Sequence, residues 1–191
     1  TSGTTAGTYV VHVVDGNGCK DTSTATLTVN AKPVVTLRDT TICSGDAAIT
    51  FDASAGYTSY QWSGTGGSVA AVQTTSGTTA GTYVVHLVDG NGCKDTATAT
   101  LTVNAKPIVT LRDTSICSGD AAITFDASAG YTSYQWSGTG GSVAAVQTTS
   151  GTTAGDYTVE VTDANGCKDT TTATLTVNAL PVLDLGIDKA M

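Results

Sequence analysis

The sequence predicts an all-β chain made of tandem antiparallel β-sandwiches with about seven short strands each. Three observations lead there. The stretch that opens at Tyr9 opens again at Tyr83 and at Tyr157, 74 residues apart each time, and near-identical copies at such a period mark an array of small domains. Within that stretch apolar and polar residues alternate: Ala97, Ala99, Leu101 and Val103 share one face and Thr96, Thr98, Thr100 and Thr102 the other, which is the signature of a half-buried strand. Turn signals rich in Gly, Asn and Ser break the chain at short intervals, and no window carries a helical period.

The repeated stretch reads as a hairpin. Tyr83 to Asp89 is its first strand, Gly90 to Asp95 its turn and Thr96 to Asn104 its second strand. Asn91-Gly92 supplies the positive φ angles that a tight hairpin turn needs. The third copy orients the first strand, because Val84, His86 and Val88 become Thr158, Glu160 and Thr162 while Tyr157, Val159 and Val161 stay apolar. Tyr83, Val85 and Leu87 therefore point inward and His86 outward.

In chain order, residues 1–31 are the end of one repeat, with strands from Gly7 to Asp15 and from Asp21 to Asn30. Ala31-Lys32-Pro33 is a short joint with little freedom compared with a Gly/Ser linker. The first whole repeat is 32–104. Val34 to Leu37 reads as a strand that resumes at Thr41 to Cys43 after a kink at Arg38-Asp39. Ala47 to Ala53, Tyr57 to Ser63 and one or two short strands in Val69 to Thr75 follow, with a glycine loop from Gly64 to Ser68, before the hairpin. The second whole repeat, 105–178, restates this order, and 179–191 restarts the first strand, Pro181 to Leu185. Residues 2–75 and 76–149 differ at only four positions: Val13/Leu87, Ser23/Ala97, Val34/Ile108 and Thr41/Ser115. Such near-identity indicates recent duplication.

Composition narrows the function classes. The net charge of −8 over 191 residues argues against nucleic acid and anionic membrane surfaces, and no apolar run is long enough to span a bilayer. The chain opens in mid-repeat, so the missing leader peptide says nothing. A unit of this size buries a modest core and benefits from a staple. Cys19, Cys43, Cys93, Cys117 and Cys167 recur at repeating positions, which points to an oxidising, extracellular setting.

The segments Thr-Ile-Cys-Ser-Gly-Asp (41–46), Tyr-Gln-Trp-Ser (60–63), Ala-Gly-Thr-Tyr-Val-Val (80–85) and Asp-Gly-Asn-Gly-Cys (89–93), in that order, resemble the Ig-like and PKD-like repeats of large secreted Bacteroidetes surface proteins. That group includes gliding adhesins and other cargo of type IX secretion. The resemblance covers essentially the whole chain. It implies an Ig-like sandwich, a cell-surface location and O-glycosylation of Asp-Thr motifs, here at Thr40, Thr96 and Thr170. Two residues after Tyr83 stands Val85, where an antibody-type domain has its core cysteine, so the antibody disulfide is ruled out.

In an Ig-like sandwich the turn holding Cys43 lies at the end where the chain leaves, and the hairpin turn beside Cys93 at the end where it enters. Strands of this length separate those ends by about 20 Å, whereas a disulfide needs Cα atoms within about 7 Å. The favoured pairing is therefore Cys43–Cys167, between successive repeats, with Cys19, Cys93 and Cys117 pairing outside the fragment. Cys43–Cys93 and Cys117–Cys167 within single repeats stand as the alternative.

Other candidate sites have plain structural explanations beside them. Asp89, Asn91 and Asp95 have the spacing that starts a calcium loop, but Thr100 stands where the closing acid belongs; an Asn-Gly turn explains the same segment. Trp62, Tyr60 and Tyr57 could form a sugar platform or part of the core. His12 and His86 read as pH switches or as members of a solvated face, and Val84-His86-Val88 as a weakly adhesive stripe. Glu160 is the only glutamate, no nucleophile–base–acid set is present, and every lysine falls in a turn or joint, so the chain reads as no enzyme, without cofactor. The expected role is structural, the shaft of a stalk, filament or adhesin. A carbohydrate-binding appendage of a secreted enzyme and a self-assembling fibre are the alternatives. Neighbouring repeats are the expected partners, with other copies of the chain and surface polysaccharide left open.

Overall fold

The structure, a computed structural model, describes residues 4–65, 69–139 and 143–184. Every regular element among them is a strand. The opening hairpin is β1 (Gly7–Val14) and β2 (Lys20–Leu27), antiparallel with Tyr9 opposite Ala25. The first whole repeat holds β3 (Thr40–Cys43), β4 (Ile49–Asp52), β5 (Ser59–Gly64), β6 (Val69–Ala70), β7 (Thr74–Gly77), β8 (Gly81–Val88) and β9 (Lys94–Asn104). The second holds β10 (Thr114–Cys117), β11 (Ile123–Asp126), β12 (Ser133–Gly138), β13 (Val143–Ala144), β14 (Thr148–Gly151), β15 (Gly155–Thr162) and β16 (Lys168–Asn178).

Each whole repeat is a two-layer sandwich. One layer is a five-stranded sheet in the order β3-β9-β8-β5-β6, repeated as β10-β16-β15-β12-β13. The other is the two-stranded sheet β4-β7, repeated as β11-β14. The layers meet through aromatic rings. Phe51 on β4 stacks on Tyr83 on β8 with centroids 4.6 Å apart, and Phe125 stacks on Tyr157 at 4.5 Å. Around these rings Trp62, Val85, Leu87, Ala99 and Leu101 are fully buried. The inward set of β8 is Tyr83, Val85 and Leu87, as the alternation requires, while His86 is exposed. A buried indole N–H needs an acceptor, and Trp62 Nε1 donates to Val72 O at 3.0 Å, as Trp136 does to Val146 O.

Tyr83 also ties its own approach segment, its hydroxyl donating to Thr79 O at 3.1 Å; Tyr157 does the same to Thr153. A tyrosine at the start of this strand bonded back to the preceding backbone is an Ig-sandwich hallmark. The ring leaves no room beside it: a Cβ on Gly77 would overlap the Tyr83 hydroxyl. In the hairpin turn, Gly92 takes φ +81°, a conformation natural for glycine.

Two readings of the sequence need correction. Val34 to Leu37 has a strand pattern but forms no strand, and neither does 181–184; Leu185 lies outside the described residues. The segment is held instead by carboxylates. Val35 N–H donates to Asp95 Oδ2 at 2.9 Å, and Asp39 Oδ1 accepts from Thr100 N–H at 2.7 Å. The second repeat repeats both contacts through Asp169 with Val109 and Asp113 with Thr174. These bonds turn the segment toward β9 and leave a groove against β4, lined by Thr36, Arg38, Thr50 and Asp52 among others. Second, the sheets are not wholly antiparallel. β10 pairs parallel with β16, Thr114 opposite Leu175 and Cys117 opposite Asn178. Both strands run toward the end where the chain leaves the sandwich, so their pairing can only be parallel. The glycine loop, Gly64 to Ser68, lies partly outside the described residues.

The chain divides into two compact units, Thr1–Thr40 with Ala47–Thr102, and Thr41–Asp46 with Val103–Met191. Residues 41–46 of the first repeat thus belong to the second unit.

Gly77→Ala should destabilise its repeat by about 1–3 kcal/mol through overpacking, read by denaturant titration. The cost should be smaller in a Tyr83→Phe background. Equal costs in the two backgrounds would show that the hydroxyl is not what the added methyl meets.

Candidate functional site: the cysteine-bearing turns

Two kinds of turn carry the cysteines. The first, Cys43-Ser44-Gly45-Asp46, follows β3. Asp46 Oδ2 accepts from Cys43 N–H at 2.9 Å, Asp46 N–H donates to Cys43 O at 3.0 Å, and Ser44 N–H donates to Asn104 O at 2.8 Å. The second is the hairpin turn from Asp163 to Cys167. Asp163 Oδ1 accepts from both Asn165 N–H and Cys167 N–H at 2.8 and 2.9 Å, and Asp163 N–H donates to Cys167 O at 2.9 Å. One carboxylate thus serves the orphan amides of each turn, which is why Asp recurs at these positions.

Cys43 and Cys167 are joined in a disulfide, with Cα atoms 5.6 Å apart and 124 residues between them in sequence. Cys167 is completely buried and Cys43 half-buried. Both belong to the second compact unit. Neither Cys43–Cys93 nor Cys117–Cys167 is formed. Cys19, Cys93 and Cys117 are free thiols; Cys19 and Cys117 are exposed. Beside the bridge Lys106 Nζ lies 3.8 Å from Asp46 Oδ1. That ion pair is largely exposed, so it adds little.

The remaining sequence candidates do not converge on a ligand site. Asp89 Oδ1 accepts from Asn91 and Cys93 N–H, while Asp95 Oδ2 holds Val35; both carboxylates serve the backbone. Among the described residues no group of three or more His, Cys, Asp or Glu stands where it could hold a metal ion. Trp62 is buried, and Tyr57 and Tyr60 are half-buried with their hydroxyls on Val34 O and Ser54 O, so the three make no exposed stacking row. His86 Nδ1 lies 2.9 Å from Thr96 Oγ1 directly across the hairpin, and His12 pairs with Thr22 in the same way. In the second repeat the same face carries Glu160 paired to Lys168 at 2.7 Å. Val84 and Val88 flank His86 half-buried. Of the three Asp-Thr threonines, Thr96 and Thr170 are exposed and Thr40 is half-buried. Among the described residues no helix is long and apolar enough to cross a membrane.

Sequence reasoning missed the structural aspartates. Asp39 and Asp113 read as parts of a kink, and their long-range bonds join residues 61 apart, a distance over which no local pattern speaks. Their signal was their presence in both repeats beside an expected strand that lacks a ladder partner. Three aspartates are also held below the usual carboxylate range. Asp52 is lowered first by the Gln73 side-chain amide and then by Ser54 N–H, and Asp126 matches it with Gln147 and Ser128. Asp95 is lowered first by Val35 N–H and then by Thr96 N–H.

The strand order, the parallel edge and the tyrosine tie define a tandem array of Ig-like β-sandwich repeats. No family model and no curated protein matches the chain. Among solved structures it is similar to extracellular domains 3–5 of Drosophila OTK, at 14% identity over 91% of this chain and 71% of that one, with a TM-score of 0.48. It is also similar to the I9–I11 tandem of titin, at 23% identity over 92% and 74% with a TM-score of 0.38. A third is a Ca2+-stabilized adhesin that helps an Antarctic bacterium bind ice, at 19% identity over 90% and 56% with a TM-score of 0.42.

Two outcomes follow. Cys43→Ser or Cys167→Ser should lower the stability of the second unit by on the order of 2–4 kcal/mol, read as a drop in denaturant midpoint that reducing agent reproduces in the parent chain. The depressed carboxyls stabilise the fold above their unfolded pKa of about 3.9, and that stability is lost as pH falls through their lower folded values. The thermal midpoint should therefore hold from neutral pH to about pH 5 and fall below about pH 4. Asp95→Asn should shallow that acid limb; an unchanged limb would remove Asp95 from the account.

Proposed function

We propose that the chain is a segment of an extracellular structural repeat array, the shaft of a stalk, filament or adhesin, in which a cystine ties each repeat to the next. The observation that carries this reading is the Cys43–Cys167 bond. It fastens the Cys43–Asp46 turn of one repeat into the compact unit of its successor. A bond so placed holds the array when the chain is pulled, and a cystine of this kind belongs to an oxidising compartment. Neighbouring repeats are then the main partners, and no catalytic step is part of the role.

The finer reading draws on the motif order alone. It makes the chain part of a large secreted Bacteroidetes surface protein, exported by type IX secretion and O-glycosylated at Thr40, Thr96 and Thr170. The exposure of Thr96 and Thr170 is compatible with modification, and intact-mass analysis of the protein from its native source tests it.

Single-molecule stretching tests the mechanical role. The cystine encloses 124 residues of sequence separation, so reduction should release about 430 Å of additional extended chain, at about 3.5 Å per residue. Identical contour lengths with and without reductant would place the bond outside the load path and overturn the proposal.

A further inference from the structure

The groove between the entry segment and β4 is used by neither the core nor the cystine. It arises because β4 ends the small sheet β4-β7. The entry segment is tied toward β9 through Val35 and Asp39, so the outer edge of β4 has no ladder partner. The groove has a volume of about 240 Å³ in the first repeat and about 530 Å³ in the second, where β11 takes the place of β4. The larger value lies within the range of about 300–1,000 Å³ of small-ligand sites. Each groove lies wholly within one compact unit.

The chain has two arginines, Arg38 and Arg112, and each lines one groove. Neither guanidinium makes a hydrogen bond or ion pair among the described residues. On the β4 side stands Asp52. Its Oδ1 accepts from Ser54 N–H and from Gln73 Nε2, both at 2.7 Å, and Asp126 is held in the same way by Ser128 and Gln147. Two bonds to one oxygen fix the carboxylate and keep Oδ2 for an outside donor. The hydroxyls of Thr50 and Thr124 line the same grooves without a hydrogen bond among the described residues. Half-buried Leu111 and Ile123 add apolar surface in the second.

A donor side and an acceptor side thus share one groove without pairing to each other, and charge decides what fits between them. An anion attracted by Arg112 meets Asp113 and Asp126 in the same groove, on a chain of net charge −8. A cation attracted by the carboxylates meets the unpaired guanidinium. A neutral ligand rich in hydroxyls satisfies both sides, because each hydroxyl donates and accepts. We propose that the entry-segment groove of each whole repeat binds a neutral saccharide. Arg38 or Arg112 donates to sugar oxygens, and Oδ2 of Asp52 or Asp126 accepts from a sugar O–H. The site is separate from Trp62, Tyr60 and Tyr57, and it does not depend on the cystine. It gives a structural shaft a lateral hold on polysaccharide.

With one arginine in each groove, the side-chain Nε–H signals report the two sites separately by NMR. The full chain, labelled with nitrogen-15, is titrated with cellohexaose, maltohexaose, laminarihexaose, xylohexaose and mannohexaose, and with an oligogalacturonate as the anionic control. The expected result is a saturable shift of both Nε–H signals with at least one neutral hexaose. Arg112→Met should raise Kd in the second groove by about tenfold or more, read from the amides of residues 110–114 and 123–126, and leave the Arg38 response in place. Thr124→Val keeps the β-branched shape and removes only the hydroxyl, so it should weaken the same site with an unchanged denaturant midpoint. No saturable shift with any neutral hexaose would overturn the proposal, and so would equal shifts with the oligogalacturonate. Shifts of the arginine signals on concentrating the chain without sugar would assign the groove to a second copy and overturn it as well.

Discussion

A sandwich with only two strands in one layer depends on the contact that holds that layer down. A two-stranded sheet is marginal by itself in water, and β4 and β7 have four residues each. The Phe51–Tyr83 stack joins this small layer to the five-stranded sheet, and the Phe125–Tyr157 stack does so in the second repeat. The same tyrosine fixes the approach to β8 through its hydroxyl and dictates a glycine at position 77. Packing, backbone direction and residue choice thus meet at one ring. The remaining core, Trp62, Val85, Leu87 and Leu101, gathers around it.

The polar side of the fold is carried by aspartate. Asp89 and Asp163 organise the hairpin turns, Asp46 and Asp120 the turns after β3 and β10, and Asp39, Asp95, Asp113 and Asp169 hold the entry segments where a strand ladder is missing. A carboxylate accepting backbone N–H groups is short, ionised at neutral pH and indifferent to register. It can therefore do at one point what a ladder does over several residues. The net charge of −8 is to this extent structural.

Much of this was legible from residues alone. Alternation located β8 and β9 and oriented them, because Thr158, Glu160 and Thr162 marked the outward face. The placement of Cys43 and Cys93 at opposite ends of an Ig-like sandwich directed Cys43 toward Cys167. The entry segment misled because Val34 to Leu37 is made of strand-favouring residues, while strand formation also requires an edge to pair with. Asp95 and Asp39 hold this segment by single bonds instead. The parallel edge strand was equally hidden, since alternation reports which face a residue takes and not the direction of its neighbour. Of the candidate calcium and sugar residues, Asp89 and Asp95 hold backbone N–H groups, Trp62 is buried, and the Tyr57 and Tyr60 hydroxyls donate to backbone carbonyls.

The allocation of residues 41–46 to the second unit has a consequence in time. A chain delivered from its N-terminus exposes Cys43 long before Cys167, and Cys93 arrives in between. The nearer thiol is thus available first. A Cys43–Cys93 bond is avoided if the first sandwich closes before oxidation, which leaves the Cys43 thiol waiting in its turn, and one formed earlier is undone by thiol–disulfide exchange. The cystine then forms when the following repeat has also folded and brought its hairpin turn into place. The Cys43–Cys167 bond therefore records the completion of the second whole repeat.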